Sequence, residues 1–524
     1  MMKRLIFCFA SLFVMMQLHA QTAKDALRFL ELEQFTKASQ AFASLVEKEP
    51  TPANLFYAGY FYLKTDEADK AKPLFDKAVA ENPKFTLGMV GQGAYFLAKK
   101  DKTKGKELMD AAIKLSKGKD AEVLFRAGEA YIMFETKDHP EAINLLNGAA
   151  KLRPKDAEIL IVLGDAYMIP NDASAAATNY DRATRLSPNL AKPYIKLGNT
   201  YIRAKSYQVA LDRYREGLEK EPDYWPGHRQ LGELYFLAQK YKDAVASYRK
   251  YIENTDNTAD AQYKFGAFLY LTKEYEEALK VLAPLEGKVS PKYQKYWQRV
   301  LAYCQFENKL YKEGLTNLRA ALASLDTAIL ATDYQYYGKL LIESGEDTTA
   351  GLNQFLIGMS KDTASADLLT EYGDIFLRAK RYKRAAEALE LAIANGKTAS
   401  QDYFNYGNAL FYGKNFAKAD TIYEKVIELA PNSAAIYYQK ARTINFRKLD
   451  SDLKKGLAKP YYEKFIELND KSDKYKRGNI EALEYLGYYY TGVQKDKVKA
   501  DDYWKQLLAI DPENQKAKNG LLIK

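Results

Sequence analysis

Beyond position 20 the chain carries two histidines and one cysteine, and these bound the chemistry it can do. His139 and His228 stand about ninety positions apart, so the inventory leaves no histidine-based metal cluster and no Ser-His-Asp arrangement. Cys304 has no second cysteine after position 20 to pair with, so no disulfide is expected. Cys8 lies within an apolar run, and reads as a core residue of that run, not as a lipid-modified cysteine. "GQGAYF" at 91–96 has two of the glycines of a dinucleotide loop, but neither the third nor a preceding strand. Asp and Glu are plentiful, yet no spacing selects a catalytic pair. The residues therefore predict no catalytic, cofactor-binding or metal-binding site, and no enzyme.

A different regularity runs through the whole chain. A small residue, followed at fixed offsets by a large one and then by Ala or Gly, recurs fourteen times. The small residues are Ala26, Gly59, Gly93, Gly128, Gly164, Gly198, Gly232, Gly266, Ala302, Gly338, Gly373, Gly407, Ala441 and Gly487. Their intervals lie between 33 and 36 until the last, which is 46. Ala176, Ala210, Ala244 and Ala419 follow twelve residues on, and Tyr180, Tyr214, Tyr248 and Tyr423 four further. Pro154, Pro188, Pro222 and Pro431 close their copies, where a residue without an N–H ends a helix. A glycine inside a helix costs about 1 kcal/mol relative to alanine. Its recurrence is explained if two helices approach closely there and a Cβ would hold them apart. The copy at 333–360 fits least well and slips by one residue, with Gly351 and Phe355 in the roles of the alanine and the aromatic.

"LGNTYIRAKSYQVALDRYREGLEKEP" (197–222), "LGDAYMIPNDASAAATNYDRATRLSP" (163–188) and "YGNALFYGKNFAKADTIYEKVIELAP" (406–431) resemble the tetratricopeptide repeat, a 34-residue helix–turn–helix unit. The resemblance covers essentially all of 21–524. It implies an all-α fold: a right-handed superhelical solenoid of about fourteen such repeats, with a C-terminal capping helix around Gly520. Longer turns are expected at 449–456 and 469–479, and no room is left for a second folded domain.

What the resemblance implies about function is a concave groove lined by the first helix of each repeat, which holds partner peptides or helices. The family's groove-facing offsets fall on Phe56, Tyr60, Arg229, Glu233, Phe236, Tyr263 and Tyr270. They continue with Arg299, Tyr303, Phe306, Phe404, Asn408, Phe411, Tyr438, Arg442 and Asn445. Arginine interleaved with aromatics is the composition of protein-interface anchors. One variant of the family grips a C-terminal carboxylate with Asn at the same position of two successive repeats. Here Asn199 is followed by Glu233 and Asn408 by Arg442, so that mode is not expected. An aromatic groove also admits a glycan or a peptidoglycan fragment, which is the alternative ligand class.

Residues 1–20 carry Lys3, Arg4, an uncharged apolar run over 5–18 and a small residue at Ala20, the pattern of a secretory signal peptide cut after Ala20. The run is too short for a comfortable bilayer span, and no later segment spans one. Loss of Lys3 and Arg4 takes the net charge from +10 to +8, with no long basic run, so nucleic acid is not an expected partner. The combined expectation is a non-catalytic scaffold of a bacterial periplasm or cell envelope, holding envelope proteins and reaching the outer membrane only through a partner. Thr327, Thr348 and Thr363 lie in "DTA" and "DTT" triplets, which look like acceptor motifs for O-linked sugars on exported proteins.

Overall fold

A computed structural model describes residues 22–134, 137, 139–325, 328–359, 361, 365–447, 454–469 and 473–522. The expected signal segment, Thr327, Thr363 and most of the enlarged turn at 449–456 lie outside the described residues, as do 470–472 of the second. The described residues form an all-α array of paired antiparallel helices. It divides into two compact units, residues 1–300 and 301–524. The repeat spacing continues across that line.

The repeat around Gly198 shows how each pair is built. Its first helix, Ala191–Arg203, buries Tyr194, Leu197 and Gly198. Its second, Tyr207–Lys220, buries Ala210, Tyr214 and Leu218. A Cβ on Gly198 would stand 2.4 Å from the Tyr214 ring and 3.2 Å from the Ala210 carbonyl oxygen. The glycine is thus a seat for the ring sixteen residues on. The same seat recurs between Gly59 and Phe75, Gly164 and Tyr180, Gly232 and Tyr248, and Gly407 and Tyr423. Gly338 is covered by Phe355, seventeen residues on, and its Cβ would meet the Gly351 carbonyl at 2.6 Å, as the one-residue slip requires. Gly487 also seats its partner, Trp504, seventeen residues on. The extra residue there is taken up by a π-turn over Tyr490–Gln494. The helix Gln515–Leu522 places Gly520 on the other side of Trp504, where a Cβ would be 2.4 Å from the ring.

The turn inside each pair is equally regular. The residue seven after the small one is left-handed in Glu33, Asp66, Lys100, Asn171, Lys205, Gln239, Lys273, Lys309, Lys380 and Lys414. That conformation costs an L-residue roughly 1–2 kcal/mol. It is accepted because the following helix must turn back within a few residues to bring its ring over the glycine.

Two substitutions test these local rules. Gly198→Ala is expected to lower stability by about 1–3 kcal/mol through overpacking. Lys205→Gly is expected to raise it by about 0.5–1 kcal/mol, the relief of left-handed strain exceeding the added freedom of the unfolded chain. Thermal or urea unfolding of the two variants checks both signs, with Lys205→Ala as the near-neutral control.

Candidate functional site

The inner, first-helix face of the unit over residues 1–300 is occupied by its own side chains. The first helix of the second repeat, Pro52–Lys64, faces that of the fourth, Ala121–Phe134. The Tyr60 hydroxyl donates to Glu129 Oε1 at 2.6 Å, and Lys64 pairs with the same carboxylate at 2.8 Å. Arg126 reaches Glu129 at 2.8 Å and Glu122 at 2.9 Å, with its guanidinium 4.8 Å from the Tyr60 ring centre. Burial alone would push the Glu129 carboxyl up. Lys64 and Arg126 pull it further the other way, to well below the usual carboxylate range. Phe56 is 2% exposed and packs on Phe75, so it belongs to the core and offers nothing to a groove.

The first repeat then meets the sixth and seventh. Arg28 pairs with Glu221, and Lys192 bridges Glu31 at 3.3 Å and Glu158 at 2.6 Å. Glu33 accepts from Arg229 at 2.8 Å and from the Tyr251 hydroxyl at 2.6 Å. Thr36 donates its backbone N–H to Asp256 Oδ2 at 2.7 Å, and Asp256 returns its own N–H to the Glu33 carbonyl at 2.9 Å. Arg229 is therefore spent on the closure of this turn. Glu233 is bound to Lys264 at 2.7 Å, and Tyr263 packs on Tyr293 with its hydroxyl pushed up to about 12 by burial. Phe236 is exposed on one face and stacks on Phe268 with the other, while Tyr270 leans on Tyr275. Arg299 is 9% exposed and lies over Tyr296.

In the unit over residues 301–524 the inner face has two parts. Tyr303 is 3% exposed, stacks on Tyr336 at 4.2 Å between ring centres and donates to the fully buried Asp333 at 2.5 Å. Asp333 also accepts from the Leu330 N–H, so it ties Tyr303 to a helix start. Phe306 packs beside them on Tyr336 and Tyr311. The second part lies on the first helices Ser400–Tyr412, Ala434–Phe446 and Lys476–Tyr489. Arg442 is its centre, with its guanidinium 4.9 Å from Phe411, 5.3 Å from Tyr438 and 5.4 Å from Phe446. Glu481 holds Arg442 at 3.3 Å and accepts from the Tyr438 hydroxyl at 2.8 Å. Phe446, Tyr412 and Asn445 are exposed around the arginine, and Phe404 is half-buried against Tyr423. Asn408 accepts from the Tyr423 hydroxyl at 2.7 Å.

Reading offsets along the sequence did not pick out Glu33, Arg126, Glu129, Asp333 or Glu481, the residues that organise this inner face. It also passed over Lys440, which is 2% exposed and held at 2.6 Å by both Asp420 and Glu424. His228 is buried, with Nε2 2.8 Å from the Pro222 carbonyl and Trp225 against its ring. The Cys304 thiol is buried and pushed up to about 12, which leaves it unreactive at neutral pH. Thr348 is the first residue of the helix Thr348–Met359 and half-exposed.

The depressed Glu129 carboxyl makes stability depend on pH in a set direction. A carboxyl whose folded value lies below its unfolded one stabilises the fold above the unfolded value, about pH 4.3 for Glu, and loses that contribution as pH falls toward the folded value. Urea unfolding at neutral pH and near pH 3.5 is expected to show stability falling with acidification. Glu129→Gln should flatten part of that fall and cost stability at neutral pH, because Lys64 loses its carboxylate and the buried Arg126 keeps only Glu122.

Among the described residues no helix is long and apolar enough to cross a membrane. Tetratricopeptide repeat models match residues 24–84, 134–191, 195–259 and 403–433. The chain is similar to the C-terminal part of a TPR repeat-containing protein from Cytophaga hutchinsonii, at 35% identity over 49% of this chain and 99% of that one, with a TM-score of 0.36. It is also similar to MamA, at 23% identity over 31% of this chain and 93% of that one, with a TM-score of 0.27. No curated protein matches it. Such repeats indicate a scaffold for protein–protein interaction, generally a non-catalytic one. By its repeat matches, the chain belongs to the tetratricopeptide repeat family.

Proposed function

We propose that the protein is an exported scaffold of the bacterial cell envelope, and that it holds a partner peptide or helix on the Arg442 surface of its second unit. The observation that carries this reading is a half-buried guanidinium framed by Phe411, Tyr438 and Phe446, with Phe446 42% exposed beside it. Arginine and aromatics so arranged give a partner both an apolar seat and a directional donor, which is the make-up of interface hot spots. The companion surface in the first unit is spent on internal pairs, whereas Asn445 and Tyr412 remain open here. Export rests on the basic start, apolar run and Ala20 of residues 1–20.

The test is in-cell crosslinking of a tagged copy, purification from solubilised envelope, and a binding measurement with the partner recovered. One stoichiometric partner is expected, with Arg442→Ala weakening its binding by about tenfold or more at unchanged melting temperature. Retention on purified cell wall with no protein partner would replace this reading by the glycan one. Tyr303 offers no stacking face to a glycan, since its ring is buried and its hydroxyl is bound to Asp333.

A further inference from the structure

We propose that the first repeat is a reversible clasp, which closes the first turn of the array by docking on residues 190–256 and keeps that turn's inner face shut to outside partners. The two sides of the closure are about two hundred positions apart in the chain, as in Glu33 with Arg229 and Thr36 with Asp256. The closure is made by hydrogen bonds, ion pairs and the guanidinium of Arg28 over the Tyr224 ring. The apolar cluster of the first repeat runs from Ala26 through Phe42 to Phe61, with no member beyond residue 74. That cluster anchors the first repeat to the second.

Polar contacts at a rim can let go without exposing a core. Thr36 and Asp256 are exposed, and the Arg229–Glu33 side chains are about a quarter exposed at 28% and 22%. Pairs so placed are individually weak and screened by salt. Behind them, Lys192 is enclosed between Glu31 and Glu158. Tyr60 and Arg126 are occupied further in. While the clasp is shut, these groups serve one another, and an outside ligand has to displace it before meeting them. This opening is a property of the chain alone and does not depend on the partner proposed for the second unit.

Pulsed electron–electron resonance on the full mature chain, with spin labels at Lys37→Cys and Glu253→Cys and Cys304 replaced by Ala, reads the closure directly. A single short distance is expected in low salt. A second, longer distance is expected in about 1 M salt and, in low salt, in the Thr36→Ala/Asp256→Ala variant of the same protein. Acetylation of the Lys192 amine, followed by mass spectrometry, should quicken by roughly fivefold or more under the same conditions. The salt comparison needs no variant, so a variant that folds poorly does not decide the matter. One short distance in both conditions with Lys192 still protected would overturn the proposal and make the closure a fixed part of the fold.

Discussion

The array depends on a large side chain, most often a ring, seated against a small residue of the preceding helix. Where Tyr214 covers Gly198 or Phe75 covers Gly59, there is no space for even one added carbon. The two helices of the pair are thereby held at one separation. To bring a ring onto a glycine sixteen residues earlier, the chain must reverse within a few residues. The strained left-handed residue at the seventh position is the consequence. The alanine twelve on then presents its carbonyl to the same glycine, as Ala210 and Ala244 do. One added residue, as before Phe355 or Trp504, is absorbed in the turn, and the ring still finds its seat. The constraint is on the contact, and the spacing follows from it.

The same ring sets the inner face. The Tyr180 hydroxyl donates to Asp165 at 2.6 Å, Tyr214 to Asn199, and Tyr423 to Asn408 at 2.7 Å. In each case the acceptor immediately follows the glycine that the ring covers. A side chain facing the inner surface is therefore oriented by the residue that fills the seam between helices. Asp165, so fixed, goes on to meet Lys196 of the next repeat at 2.9 Å. Packing and surface chemistry are thus two ends of one tyrosine, and the many tyrosines of the chain, 42 in all, are suited to that double role.

The repeat, its small residues and their packing role were legible because these contacts join positions at most eighteen apart in a pattern met fourteen times. The inner-face residues were legible only as offsets. Whether such a position is open or spent depends on contacts between distant repeats. Those contacts follow from small rotations summed over several helix pairs, which no local spacing encodes. Phe56 and Tyr303 were placed on a groove by offset but lie in the core. One signal was available at the closure. Glu33 occupies the turn position that is lysine at 100, 205, 273, 309, 380 and 414, and it is the residue that reaches Arg229 and Tyr251. Lys440 gave no such signal, since lysine in a first helix ordinarily reads as solvated surface.

The alternating charges inside the first unit are better understood as setting its winding than as adding to its stability. Taking ions out of water costs several kcal/mol each, and their mutual attraction does little more than offset that. A slip of the second repeat against the fourth, however, would take Lys64 and the Tyr60 hydroxyl from the buried Glu129 and the Tyr60 ring from the Arg126 guanidinium, while the pairs of Arg126 with Glu122 and Glu129, on its own helix, would remain. The glycine seats fix each helix pair but leave the summed rotation of the array loosely defined. The contacts of Lys64 and Tyr60 with Glu129, and of the Tyr60 ring with Arg126, reduce that freedom by favouring one register of the second repeat on the fourth. An apolar inner face of the same volume would bind the turns together without choosing between registers. That is the physical reason for charge in a place where burial alone disfavours it.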